Sequence, residues 1–292
     1  MSDDAQILDI TGPLRTPRNM FSGTRGNPGA GSIHDDATAS KLGFKGGTVA
    51  GSVHMDQFAP ILISIYGDEF FERGNLSLYF KQATVDAEPV RAFARRVGKE
   101  QTRVWMENEK GDLVAEGTAS CGEPDMAGEV RKRLASQKSG GDLRILKHCK
   151  VGDVSNPVPT RLDSASDAAE RRQKTITEPL PAYVGKGKWP GRVVPIGTCV
   201  QVMRAAQGEI LKRTGAVGLF GALEVQFING PVLMDTDYLN VCKTLSLSES
   251  PKTENIWWEG TLTDKSGKLI ATHLQYLRFM KASSPEWAEK AG

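Results

Sequence analysis

Both halves of this 292-residue chain carry one pattern in the same order, a glycine-containing entry, an amphipathic helix and several strands, and few folds accommodate such a repeat. In the first half, residues 46–51 (Gly-Gly-Thr-Val-Ala-Gly) lead into a segment where Met55, Phe58, Ile61, Leu62 and Ile65 fall at helical spacing. Gly67 is placed to stop that helix. In the second half, residues 190–197 lead into a helix expected over 198–214, with Val200, Met203, Ile210 and Leu211 on one stripe and Gly215 as its C-terminal cap. An alternating segment follows each helix, residues 76–80 and 223–227, so that Phe80 and Phe227 correspond. Two further extended stretches come next in each half, 90–97 with 103–109 and 238–246 with 255–263. Turns at Lys110-Gly111-Asp112 and Lys265-Ser266-Gly267 then lead to final strands at 113–121 and 268–279. The order predicts an α+β architecture in which antiparallel sheet wraps a helix, made twice.

The halves divide as residues 1–125 and 142–292, joined by a polar connector at 126–141 that has room for one short helix. Before its helix the second half inserts residues 151–188, rich in Pro, Ser and charge, which either cover a site or lengthen a loop. A sheet around one helix leaves an open edge and a bare face, and a fused second copy supplies the partner internally. A further homodimer is compatible with this arrangement.

Charge narrows the function classes. Lys and Arg exceed Asp and Glu by two in a chain that is 25% charged and 39% hydrophobic, with the signs interspersed, so no nucleic-acid partner is expected. The first residues lack a basic segment leading into an apolar run, and the most apolar run, 58–66, is too short to span a bilayer. No membrane partner and a cytoplasmic location are therefore expected. Cys121, Cys149, Cys199 and Cys242 are scattered with no C-x-x-C pair and read as free thiols. His148 and His273 have no acidic or Cys neighbours at ligand spacing, so no metal site is assigned. The sequence carries no complete dinucleotide or phosphate-loop pattern, and no cofactor is implied.

The chemistry-bearing segment is residues 33–51. It contains the pair Ile33-His34, an acidic Asp36 two residues after the histidine, a short helix ending in Leu42-Gly43-Phe44, and the glycine-rich turn into the long helix. This segment resembles the signature region of the MaoC-like dehydratases, a family that includes the (R)-specific enoyl-CoA hydratases. Residues 227–235, and more loosely 80–86, resemble that family's strand running from Phe to an Asp-containing turn. The resemblance implies a tandem (double) hotdog fold and a hydro-lyase acting on an acyl thioester, such as an enoyl-CoA, or on a related conjugated carbonyl compound.

In that family a catalytic Asp stands five residues before the His, in the order Asp-x-Asn-Pro-hydrophobic-His, and the two side chains hold one water. Here His34 is kept, while Gly29, Gly31 and Ser32 stand where Asp, Asn and Pro would be. The resemblance thus implies His34 as base, the Gly51 N–H as donor to the thioester oxygen, and Gly29, Gly31 and Ser32 beside the substrate. The repeat places the motif in the first half only.

His54 shares the helical stripe of Phe58, Ile61 and Ile65, so it either reaches the acyl chain as a catalytic group or is a satisfied core histidine. Asp56, on a different face, is expected to meet solvent or a neighbour and is the runner-up carboxylate. Asp56 and Phe58 are both expected to contact substrate. Asp36 is expected to cap the short helix and Asp35 to face solvent. Pro60 removes one helical hydrogen bond and can bend the helix. Arg15, Arg18, Arg25, Arg91, Arg95 and Arg96 are read as solvated charges, with coenzyme A phosphates as a minor alternative. Two other readings stay open: a different lyase, isomerase or thioesterase reaction using His34 with His54 or Asp56, and a non-catalytic acyl-binding protein.

Overall fold

The computed structural model describes residues 9–22, 29–97 and 101–288. The first half runs β1 (Ile10–Thr11), α1 (Asp36–Lys41), α2 (Gly51–Asp56), α3 (Ala59–Tyr66), α4 (Phe70–Arg73), β2 (Gly74–Phe80), β3 (Val90–Arg96), β4 (Gln101–Asn108) and β5 (Leu113–Cys121). The connector holds α5 (Glu129–Ala135), and the inserted segment holds β6 (Val158–Thr160) and α6 (Asp167–Gln173). The rest is α7 (Ile196–Val202), α8 (Gln207–Ile210), β7 (Gly218–Phe227), β8 (Tyr238–Glu249), β9 (Thr253–Thr263), β10 (Leu269–Met280) and α9 (Pro285–Ala288).

The strands form one sheet in the order β1-β3-β4-β5-β2-β7-β10-β9-β8-β6, and each pairing is antiparallel. The halves join where β2 meets β7, with Asn75 opposite Gln226 and Tyr79 opposite Ala222. The duplication is visible in individual hydrogen bonds. Lys81 and Gln82 donate to the Val114 carbonyl, and Ile228 and Asn229 donate to the Ile270 carbonyl, which makes Phe80 and Phe227 equivalent. Val49 donates to Thr84 as Val194 does to Val232, so α2 and α7 begin at matching places. These two helices pack against each other beneath the seam. The exposed edges, β1 and β6, are only two and three residues long, which limits edge-to-edge pairing.

The expected central helices are each broken. In the first half the helix ends at Asp56 and restarts at Ala59, because Pro60 has no N–H for the Asp56 carbonyl and its ring crowds that carbonyl. Gly67, with φ of 66°, then ends α3 as expected. In the second half no continuous helix spans 198–214. Buried Asn240 on β8 donates to the Met203 carbonyl at 3.0 Å and accepts from the Ala206 N–H at 2.8 Å, so it satisfies the groups that a break exposes. Leu211 is the C-terminal cap of α8, and Gly215 lies in the loop before β7 rather than at a helix end.

The connector helix α5 lies across the outer face of the seam. Val130 packs with Ala222, Trp257 and Leu274, its N–H donates to Ser77 Oγ at 2.9 Å, and Arg131 pairs with buried Glu224 at 2.7 Å. The largest core cluster contains residues from both halves, from Met55 through Leu78 and Val200 to Ala271. Among the described residues no helix is long and apolar enough to cross a membrane.

Candidate functional site

His34 is positioned by the short stretch on which the glycine-rich turn folds back. Thr48 N–H donates to the Ile33 carbonyl at 2.9 Å, and Asn19 Nδ2 donates to the His34 carbonyl at 2.8 Å. A glycine is required at 47, because a Cβ there would stand 2.3 Å from the His34 carbonyl oxygen. Two helix-start roles differ from expectation. Asp35, not Asp36, caps α1, accepting from the Thr38 N–H at 3.1 Å. Asp36, one residue further on, accepts instead from the Gly47 N–H at 2.7 Å and so braces the turn.

Among the described residues the His34 ring has one hydrogen-bond partner. Nδ1 lies 2.7 Å from the Thr48 carbonyl. A carbonyl only accepts, so Nδ1 carries the proton and Nε2 keeps a free lone pair. Burial lowers the proton affinity of the ring, the bond to Thr48 raises it, and the positive charges of Arg172 and Arg204 lower it further; the net shift is downward from 6.5. Two cavities meet at this residue. The smaller, of about 220 Å³, is also lined by Gly51, His54 and Phe80. The larger, of about 890 Å³, is lined by Gly31, Ser32, Ala50 and Ser52 from the first half and by residues of α7 and α8.

Gly51 is the first residue of α2, where a backbone N–H has no partner within the helix. A Cβ at this position would come within 2.6 Å of the Phe80 ring, so only glycine lets that ring seal the cavity against the helix start. His54 is 3% exposed, with Nε2 at 2.8 Å from Thr84 Oγ1 and Nδ1 without a hydrogen-bond partner among the described residues. Burial pushes it down to about 4, so it is neutral at pH 7.

The remaining expected site residues divide. Gly31 and Ser32 line the larger cavity; Ser32 Oγ donates to the Gly29 carbonyl at 2.6 Å and accepts from the His34 N–H at 3.2 Å. Gly29 lines neither cavity, and a Cβ on it would meet the Phe21 ring at 3.0 Å. That ring packs 5.6 Å from the His34 ring, so a side chain at position 29 would have to press the Phe21 ring aside. Phe58 is a fully buried core residue and also lines neither. Asp56 does not meet solvent: it is buried, its Oδ1 accepts from the Gly197 N–H at 2.7 Å, and its Oδ2 lies 4.0 Å from Arg172. Burial raises it to about 6 against the opposing pull of Arg172 and Gly197. Outside the site, Arg15 is largely buried and paired with Glu178 rather than solvated, whereas Arg18 and Arg95 are solvent-accessible and pair with Asp86 and Asp9. Arg25 lies outside the described residues.

Sequence reasoning missed the contribution of the second half. Arg172 comes from α6 in the inserted segment, is 5% exposed, and donates to Thr198 Oγ1 at 3.0 Å and Ser52 Oγ at 3.1 Å. Its segment has no periodicity that would single it out. Arg204, in the turn between α7 and α8, carried a signal: a cation four residues after Val200 and beside Met203, on an apolar stripe. Among the described residues no group of three or more His, Cys, Asp or Glu is arranged to hold a metal ion.

No protein-family model matches this sequence, and no curated protein matches it. Solved structures do. A protein described as a MaoC domain protein dehydratase, from Chloroflexus aurantiacus J-10-fl, superposes with a TM-score of 0.58 at 10% identity, covering 94% of this chain and 95% of its own. A conserved hypothetical protein from Mycobacterium tuberculosis, with a double hotdog fold, superposes at 0.60 with 12% identity over 95% and 97% of the two chains. A MaoC-like dehydratase superposes at 0.53 with 13% identity over 94% and 99%. The fold is therefore the double hotdog, with both halves matched.

Proposed function

We propose that this protein adds water to, or removes it from, the carbon–carbon bond beside the carbonyl of an acyl thioester such as an enoyl-CoA, or of a related conjugated carbonyl compound. The reading is carried by His34: a neutral ring whose Nδ1 is occupied by the Thr48 carbonyl, with Nε2 free, at the junction of two cavities, one of which Gly51 also lines. The double hotdog fold shared with proteins described as dehydratases supports it. In hydration, Nε2 takes a proton from water as the oxygen bonds to the β-carbon. The double-bond electrons move to the thioester oxygen, where the Gly51 N–H donates to the developing enolate. The imidazolium then returns its proton to the α-carbon, so H and OH have been added and the ring is neutral again. One base serving both transfers suits a site with Phe21 packed against Gly29 and with Asp56 turned to Gly197.

The test is loss of enoyl conjugation across a panel of enoyl-CoA thioesters, for the wild type and His34→Ala. The substitution is expected to lower kcat/KM by at least about 10²-fold. Because the proton affinity of His34 is lowered, the base stays competent below pH 6.5, so the acid limb of wild-type kcat/KM has its midpoint under that value. Turnover that survives the substitution overturns the assignment. Thiol release without hydration turns it toward a thioesterase, and saturable binding without turnover toward an acyl-binding protein.

A further inference from the structure

The larger cavity has a charge pattern that the hydration chemistry does not use. Arg171, Arg172, Arg204, Lys212 and Arg213 line it, and no Asp or Glu does among the described residues. Lys212 and Arg213 are exposed at its mouth, whereas Arg172 is buried and Arg204 only partly exposed. Arg172 has hydroxyl partners in Thr198 and Ser52, and its nearest carboxylate, Asp56, is 4.0 Å away and already engaged by the Gly197 N–H. Arg204 lies over the Phe220 ring at 5.8 Å and forms no ion pair among the described residues. Both guanidinium groups line the cavity that His34 lines, and their like charges lower the proton affinity of its ring. Arg204, partly withdrawn from water with no ion pair among the described residues, and Arg172, whose neighbour Asp56 is shared with the Gly197 N–H, leave positive charge that an anionic ligand would neutralise.

We propose that Arg204, with Arg172 beside it, receives a carboxylate at the far end of the acyl group, so that the substrates are ω-carboxyacyl thioesters. The proposal rests on the reading of this cavity as the acyl-thioester site. A guanidinium fork matches a carboxylate in two parallel hydrogen bonds, and the planar group is slim enough to reach a buried arginine. His34 lines the same cavity as Arg172 and Arg204, which places the anion they receive on the acyl group rather than out at the carrier. Val200, Phe220 and Leu277 supply apolar wall for the methylenes between.

The test uses non-reacting thioesters and calorimetric binding: butanoyl-CoA against succinyl-CoA, which differ by a carboxylate in place of the terminal methyl. The wild type is expected to bind succinyl-CoA at least about tenfold more tightly, the range of a charged hydrogen bond. Arg204→Gln should abolish that preference and leave butanoyl-CoA affinity unchanged, while Arg204→Lys should retain part of it. Succinyl and butanoyl thioesters of pantetheine, which lack the nucleotide phosphates, should show the same preference. Equal wild-type affinity for the two acyl groups overturns the proposal without reference to any variant. So does a preference that vanishes with pantetheine, or an Arg204→Gln loss equal for both ligands, since either marks a carrier phosphate as the anion. Binding needs no turnover, so an absence of hydration with the preference intact would sink only the proposed reaction.

Discussion

Because the Thr48 carbonyl accepts from Nδ1, the His34 ring has Nε2 as its basic nitrogen, and that tautomer follows from a backbone atom rather than from an acidic partner. The Gly47 position explains why the backbone can come so close: any side chain there would strike the His34 carbonyl. Gly51 does related work against the Phe80 ring. Gly51→Ala forces a methyl within 2.6 Å of that ring, so the ring or the start of α2 has to move. The expected result is a loss of about 1–3 kcal/mol in stability from overpacking, measured by urea unfolding. In the proposed reaction kcat should fall more than KM rises, since the N–H is displaced from the charge that develops in the transition state. Unchanged kcat in a folded Gly51→Ala protein would remove Gly51 from the mechanism. His34, the turn glycines and their order were legible in the sequence because each is a local requirement. Asp56 was not: its partners Gly197 and Arg172 come from distant parts of the chain, and no spacing encodes them.

Helix periodicity is blind to where a helix stops being continuous. Val200, Met203, Ile210 and Leu211 keep their stripe across residues 203–206, yet α7 ends at Val202 and α8 starts at Gln207. The break depends on Asn240, which bonds the Met203 and Thr261 carbonyls through Nδ2 and the Ala206 N–H through Oδ1. The larger cavity is lined by residues on both sides of that interruption. Asn240→Leu leaves buried backbone groups unsatisfied and is expected to cost about 1–3 kcal/mol or more, seen as a lowered Tm. The same substitution should loosen the turn that carries Arg204, with the loss read as a smaller preference for succinyl-CoA over butanoyl-CoA. A variant as stable as the wild type would show that the helix breaks for another reason. The first-half break at Pro60 was foreshadowed, because a proline acts on its own helix.

The two halves share one core cluster, one continuous sheet and a connector helix packed over their seam. Burying β2, β7 and the α2–α7 contact requires both halves at once, so the chain is expected to unfold in a single transition with matching calorimetric and van't Hoff enthalpies. Residues 1–125 or 142–292 alone should give poorly dispersed NMR spectra; a native-like spectrum from either piece would show that the halves fold independently. Duplication, the succession of strands along each half and the antiparallel hairpins were determined by the sequence itself, since alternation, helical stripes and glycine turns are set by near neighbours. Tertiary structure alone decided where the helices break, that α6 delivers Arg172 to the first-half helix, and that the larger cavity opens between the halves. Those outcomes depend on side chains meeting across long separations, where burial and hydrogen-bond satisfaction select partners that local pattern does not specify.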